Sequence, residues 1–331
     1  MKLRVGLIGL GDSWQTRYAP ALRAISDRYE VRAVCDQVAH LAAQAARDFD
    51  ASKVDGFRAL VQREDVDAVL MLAPQWFGPL PIFAACDAGK AVYSAVVLDL
   101  DLATAARLKQ RVDAAGVAFM TELPKRHAPA TLRLKELMAT RLGRPRLIFC
   151  HRRQPADRSR EPRPAMQDLV ELVDWCRFIV GEEPTSVVGI VHPADTAPQH
   201  NEYEMLSLHF PVPTEAGDGV TAQISCGQYL LPTWPEASTF RPPAAMQIAC
   251  ERGVAFVDLP ATIIWFDEAG RHHESLDSDR PVGEQMLLQF FRAVTSLVRR
   301  TSDLEDAYRS MAIVLAARQS QEEERRMPLA F

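Results

Sequence analysis

The chain has little that would tie it to an oxidising compartment, a membrane or nucleic acid. Its six cysteines (Cys35, Cys86, Cys150, Cys176, Cys226 and Cys250) include no Cys-x-x-Cys pair, so neither a disulfide framework nor a zinc site is expected, and a reduced, cytoplasmic protein is. Positive charge is not in excess. The 38 Lys and Arg are outnumbered by 43 Asp and Glu, for a formal net charge of -5, which argues against nucleic acid or an anionic membrane as a partner. No uninterrupted apolar run reaches the ~18 residues of a membrane span. The opening Met1-Lys2-Leu3-Arg4-Val5 runs into a strand and not into a signal segment. Internal repeats and low-complexity tracts are lacking as well.

What is present is enough apolar residue, 48%, for ordinary packed cores. A length of 331 residues exceeds what one core usually serves, so two domains are expected. Over the first part, strand and helix patterns alternate at the pace of repeated βα units. Strands are expected at 2–9, 30–36, 65–74, 90–94 and 117–121, and helices at 17–27, 38–49, 82–88 and 102–115. Near-continuous apolar strands such as Val66-Asp67-Ala68-Val69-Leu70-Met71-Leu72-Ala73 suit a parallel sheet covered on both faces. After Leu123 the rhythm changes. A helix is expected at 128–140, a strand at 146–150, a proline- and arginine-rich loop at 152–164 and a helix at 168–180. The β-rich runs of 185–267 predict one open, mostly antiparallel sheet, and His272-His273 reads as part of a turn. Two helices, 283–300 and 304–324, follow. The fold class is α/β: a doubly wound parallel sheet over 1–122, then an α/β domain over 123–331, its last helices able to pack back on the first domain.

Gly9-Leu10-Gly11 lies between the first strand and the first helix. In that setting Gly9 permits a tight turn and Gly11 a close approach of the backbone to a pyrophosphate. A third glycine is missing. Asp12-Ser13-Trp14 stand in its place, with about one residue more before the helix than is usual. We count all three with the cofactor loop, although an aspartate there opposes a pyrophosphate and Trp14 reads more readily as packing. Asp36 closes the second strand, where a carboxylate accepts the adenosine ribose hydroxyls and repels the extra phosphate of NADP. Gln37 offers no compensating charge. The pattern is that of a Rossmann domain for NAD, with NADP disfavoured.

Further along come Tyr18-Ala19-Pro20-Ala21-Leu22, Val66-Asp67-Ala68-Val69, Ala73-Pro74, Ala88-Gly89-Lys90-Ala91-Val92, Lys125-Arg126-His127-Ala128-Pro129, Leu142-Gly143-Arg144-Pro145, and Asp174-Trp175 before Gly181. In this order the series resembles the glucose–fructose oxidoreductase, inositol dehydrogenase and rhizopine-catabolism (Gfo/Idh/MocA) family, over nearly the whole chain. The resemblance implies hydride exchange between a nicotinamide and a small polyol, sugar or sugar-derived acid, with no metal. It also implies a homodimer or homotetramer formed through the C-terminal sheet, and a contact of Gln75, beside Pro74, with the nicotinamide ribose; Trp76 is a candidate pocket wall.

Two positions depart from the family. Its Glu-Lys-Pro after the fourth long strand is Ala95-Val96-Val97 here, and the histidine expected three residues before Asp174 is Glu171. Glu171, Asp174 and Lys125 are the candidate acid–base set: Glu171 as proton acceptor, Asp174 as the aspartate of the family motif, and Lys125 as the lysine able to take over the missing ammonium. An exposed helix glutamate and a salt-bridged aspartate are the plain alternatives. A protein that binds a dinucleotide or metabolite without turnover is the competing function. The arginines of 141–163 (Arg152, Arg153, Arg158, Arg160 and Arg163 among them) are either a solvated loop or subunit contact, or an anion clamp.

Overall fold

The computed structural model describes residues 2–73, 76–95, 100–155, 165–194, 197–211, 219–230, 233–234, 236, 244–276, 280–296 and 303–331. The chain divides into two compact units. One holds Met1–Glu122 with Asp279–Tyr308, the other Leu123–Ser278 with Arg309–Phe331.

In the first unit the strands are β1 (Leu3–Ile8), β2 (Tyr29–Cys35), β3 (Ser52–Lys53), β4 (Ala68–Met71), β5 (Ala91–Ser94) and β6 (Phe119–Thr121). They form one parallel sheet in the order β3-β2-β1-β4-β5-β6. The order reverses direction beside β1, the point where such sheets open a crevice for ligands. β4 and β5 are buried at every position, as strands covered on both faces must be.

The helices are α1 (Ala19–Ala24), α2 (Ala39–Asp48), α3 (Phe57–Val61), α4 (Leu80–Asp87) and α5 (Leu102–Ala115). The bounds of α5 are set by chemistry legible in the sequence. Asp101 accepts the Thr104 N–H at 2.9 Å at its start, and Gly116 ends it at φ 62°. α3 and β3 fall in a stretch that periodicity leaves blank, because both are shorter than one repeat of their own pattern.

In the second unit a turn of 3₁₀ helix over Pro124–His127 leads into α6 (Pro129–Leu137), which widens into a π turn over Met138–Leu142. α7 (Ala165–Val180) buries Leu169, Val173 and Cys176. The strands are β7 (Pro145–Pro155), β8 (Ser186–Ala194), β9 (Ala197–Phe210), β10 (Val220–Leu230), β11 (Met246–Cys250), β12 (Val254–Asp258), β13 (Thr262–Asp267), β14 (Gly270–Ser275) and β15 (Met327–Pro328). Their order is β14-β13-β12-β11-β7-β10-β9-β8-β15. Pairing is antiparallel throughout except between β7 and β10. One face, with Leu206, Leu208, Phe210, Ala222 and Ile224, is buried; on the other Phe149, Phe256 and Ile264 are half-buried.

Two local expectations are corrected. Arg152 and Arg153 are not in a loop: β7 continues to Pro155, pairing Arg152 with Cys226 and Arg153 with Gly227, and proline only ends it. Arg158, Arg160 and Arg163 lie outside the described residues. His272-His273 is not a turn but the middle of β14, paired with Trp265 and Ile264; the turn is confined to the residues before Gly270.

The last helices are α8 (Val282–Thr295) and α9 (Asp303–Glu322). α8 belongs to the first unit, where Met286, Leu287 and Phe290 are buried beside Tyr29 and Tyr93. Tyr29 Oη donates to the Leu287 carbonyl at 2.5 Å, and the rings of Tyr93 and Phe290 lie 5.4 Å apart.

Candidate cofactor and active sites

β1 delivers the chain into a loop that only glycine can form. Gly9 and Gly11 have φ of +65° and +67°. A Cβ on Gly9 would lie 2.5 Å from the Ala73 carbonyl oxygen, and one on Gly11 2.7 Å from the Ala73 Cβ. The left-handed backbone and the missing side chains leave a bare cradle at the carboxyl end of β1. Asp36 fixes this loop. Its Oδ2 accepts the Leu10 N–H at 2.7 Å and its Oδ1 the Val38 N–H at 2.8 Å. Each oxygen keeps a second lone pair for a ribose hydroxyl.

The extra residue that replaces the third glycine is absorbed as a π-helical turn over Trp14–Tyr18, running directly into α1. The helix therefore begins three residues earlier than its periodicity suggests. Asp12 is exposed and Ser13 half-buried in the loop, whereas Trp14 is buried, its ring 5.5 Å from Phe49. Pro74 and Gln75 lie outside the described residues. Trp76 is 69% exposed. A cradle without side chains and a carboxylate acceptor at the end of β2 fit an NAD dinucleotide.

In the second unit, α7 carries three acids one turn apart, each clasped by a cation from another element. Arg152 Nη1 of β7 donates to Asp168 Oδ1 at 2.5 Å. Lys125, on the 3₁₀ turn, is ion-paired with Glu171. Arg126 donates through Nε to Asp174 Oδ2 at 2.7 Å and through Nη2 to Oδ1. Burial separates their roles. The Asp174 and Asp168 side chains are 2% and 5% exposed, against 15% and 16% for Glu171 and Lys125. Of the three acids, Asp174 is thus the most deeply buried and Glu171 the least. Burial lowers the His127 pKa, and Arg126 adds to this. The Cys226 thiol is pushed up to about 12 by burial and then by Asp168, and is no nucleophile.

The structure thus brings Lys125 and Glu171 together and sets Asp174 beside them. Asp168 escaped the sequence reading, although its i−3 and i−6 spacing from the other two acids is visible in retrospect. Replacing Asp174 by alanine leaves the Arg126 guanidinium buried without its main acceptor. The expected loss is about 3–5 kcal/mol of unfolding free energy, measured by urea denaturation; a loss under about 1 kcal/mol would refute the structural role.

Among the described residues no group of three or more His, Cys, Asp or Glu could hold a metal ion. Nor is any described helix long and apolar enough to cross a membrane.

Comparison with known proteins bears on the family and the fold. The model of an oxidoreductase family with an NAD-binding Rossmann fold matches residues 3–123. Inositol 2-dehydrogenase of Cereibacter sphaeroides is 28% identical over 211 residues, 60% of each chain; the matched region is thus under two thirds of that relative's length. Among solved structures, aldose-aldose oxidoreductase from Caulobacter crescentus, complexed with glycerol, superposes with a TM-score of 0.85 at 15% identity, covering 99% of this chain and 100% of that one. Levoglucosan dehydrogenase, in complex with NADH and levoglucosan, does so with a TM-score of 0.84 at 16% identity over 100% of both. At such identities these two likenesses establish the fold.

Proposed function

We propose that the chain, whose residues 3–123 match the model of the Gfo/Idh/MocA oxidoreductases, is an NAD-dependent dehydrogenase or reductase of that family acting on a small polyol, sugar or sugar-derived acid. The observation that carries the reading is the partly exposed ion pair between Lys125 of the 3₁₀ turn and Glu171 of α7, in a chain without the family's usual lysine at 95–97. Bound NAD supplies a hydride acceptor, or in the reduced form a donor. Gly9 and Gly11 admit the pyrophosphate, and Asp36 accepts the ribose hydroxyls and turns away a 2′-phosphate. The Lys125 ammonium donates a hydrogen bond to the substrate oxygen, favouring its alkoxide character as the hydride leaves. Glu171 takes up the hydroxyl proton and, in the reverse direction, returns it.

Two observations favour a second reading, in which the protein binds a dinucleotide or metabolite without turnover. Lys125 is already paired with a carboxylate, and Ala95 stands where the family motif begins. The two readings separate when the protein is incubated with NAD and a panel of polyols, sugars and sugar acids. NADH absorbance, or a changed carbohydrate without net NADH, supports catalysis. Saturable NADH binding with neither result replaces it by the second reading.

We also propose that copies associate through the outer face of the second unit's sheet, where Ile190 and Phe266 are 47% and 42% exposed. Light scattering should return a dimer or tetramer; a monomer at micromolar concentration excludes it.

A further inference from the structure

Glu122 is an acid that neither the cofactor loop nor the α7 site accounts for. It follows β6 at the carboxyl edge of the parallel sheet and is 3% exposed. Its backbone N–H continues the ladder, donating to the Ser94 carbonyl at 3.0 Å. Donors from several elements converge on its carboxylate. Tyr18 Oη reaches Oε1 at 3.1 Å, Tyr93 Oη also donates to Oε1, and the Arg17 guanidinium pairs with Oε2. Tyr93 belongs to β5. Arg17 and Tyr18 close the π turn that follows the glycine loop.

The third glycine of a dinucleotide fingerprint lets the first helix pack close to the strands. Here that contact is made by a π turn with a tyrosine at its end, 2% exposed, and a buried carboxylate gives the turn its attachment. A π turn is a rare conformation, found mostly as a single turn within or beside an α-helix, and here contacts from outside the segment hold it. The Arg17 guanidinium matches the charge that burial would otherwise penalise, and burial together with Glu122 raises the Tyr18 pKa, keeping that phenol a donor.

We propose that Glu122 is a positioning residue for the dinucleotide: through Arg17, Tyr18 and Tyr93 it fixes the π turn, and so holds the loop Gly9–Ser13 in the shape that receives the pyrophosphate. The assignment rests on NAD binding and not on turnover, so a failed dehydrogenase assay leaves it standing.

The test is calorimetric titration of NADH, ADP-ribose and adenosine into the full chain. Glu122→Gln keeps the shape and removes the charge facing Arg17. The Kd of NADH and of ADP-ribose should rise about tenfold, equivalent to about 1.4 kcal/mol, while adenosine, which lacks the pyrophosphate, binds as to the wild type. Tyr18→Phe removes one donor and keeps the ring, and should weaken ADP-ribose about threefold. Unchanged ADP-ribose binding in both variants overturns the proposal. An equal loss for adenosine overturns it too, because that marks general loosening of the unit. Should Glu122→Gln not fold, Tyr18→Phe and Tyr93→Phe decide by the same comparison.

Discussion

Replacing Glu171 by glutamine should lower kcat by about 10²- to 10⁴-fold, the range for losing one positioned acid–base group, while the Kd of NADH stays at its wild-type value. The substitution preserves volume, and its amide oxygen can still accept a hydrogen bond from Lys125, so α7 and the 3₁₀ turn keep their places. Only the capacity to take up a proton is lost. The split between turnover and cofactor affinity is the informative part. Asp36 and the glycines lie in the first unit, Glu171 in the second, so a loss of both would point to misfolding. Initial rates of NADH formation with the best substrate of the panel measure it. Wild-type kcat in the glutamine variant would remove Glu171 from the chemistry and leave it as an ion-pair partner of Lys125.

The second large effect concerns the cradle. Gly9→Val should weaken NADH at least about 100-fold. A non-glycine residue in the left-handed region costs about 1–2 kcal/mol, and a β-branched one fits there worst of all. The Cβ would in addition stand 2.5 Å from the Ala73 carbonyl oxygen, a backbone atom that moves only if β4 moves. Together these exceed the roughly 2.7 kcal/mol that a 100-fold loss represents. Gly89 is the control, with φ +66° but open space around it. Gly89→Asn carries the same backbone demand, which asparagine tolerates, and should bind NADH like the wild type. If Gly9→Val also binds normally, the cradle is not where the pyrophosphate lies.

Much of the fold is legible in the sequence because it follows from burial alone. Strands sealed on both faces read as apolar runs, which places β1, β2, β4 and β5, and α5 announces itself by Asp101 and Gly116. Elements whose form depends on distant partners are not legible in this way. β7 reaches Pro155 because Cys226 and Gly227 pair with its arginines, and no local rule turns the sequence Arg-Arg-Gln-Pro into a strand. The π turn comes from an insertion whose consequence depends on what anchors it. The same division runs through the site. Gly9, Gly11 and Asp36 stand at fixed offsets from β1 and are found by counting. Asp168 and Glu122 act through contacts made 16 and 105 residues away in the chain, to Arg152 and Arg17, and contacts at such separations leave no spacing to count.

The return of α8 to the first unit bears on how the protein is made. The buried side chains of Met286, Leu287 and Phe290 complete a core whose other walls come from the first hundred or so residues, and everything in 123–278 is synthesised in between. During translation the nucleotide-binding half therefore waits, its apolar face uncovered, until the ribosome has passed the bulk of its neighbour. A gene cut at codon 122 would release that half permanently unfinished.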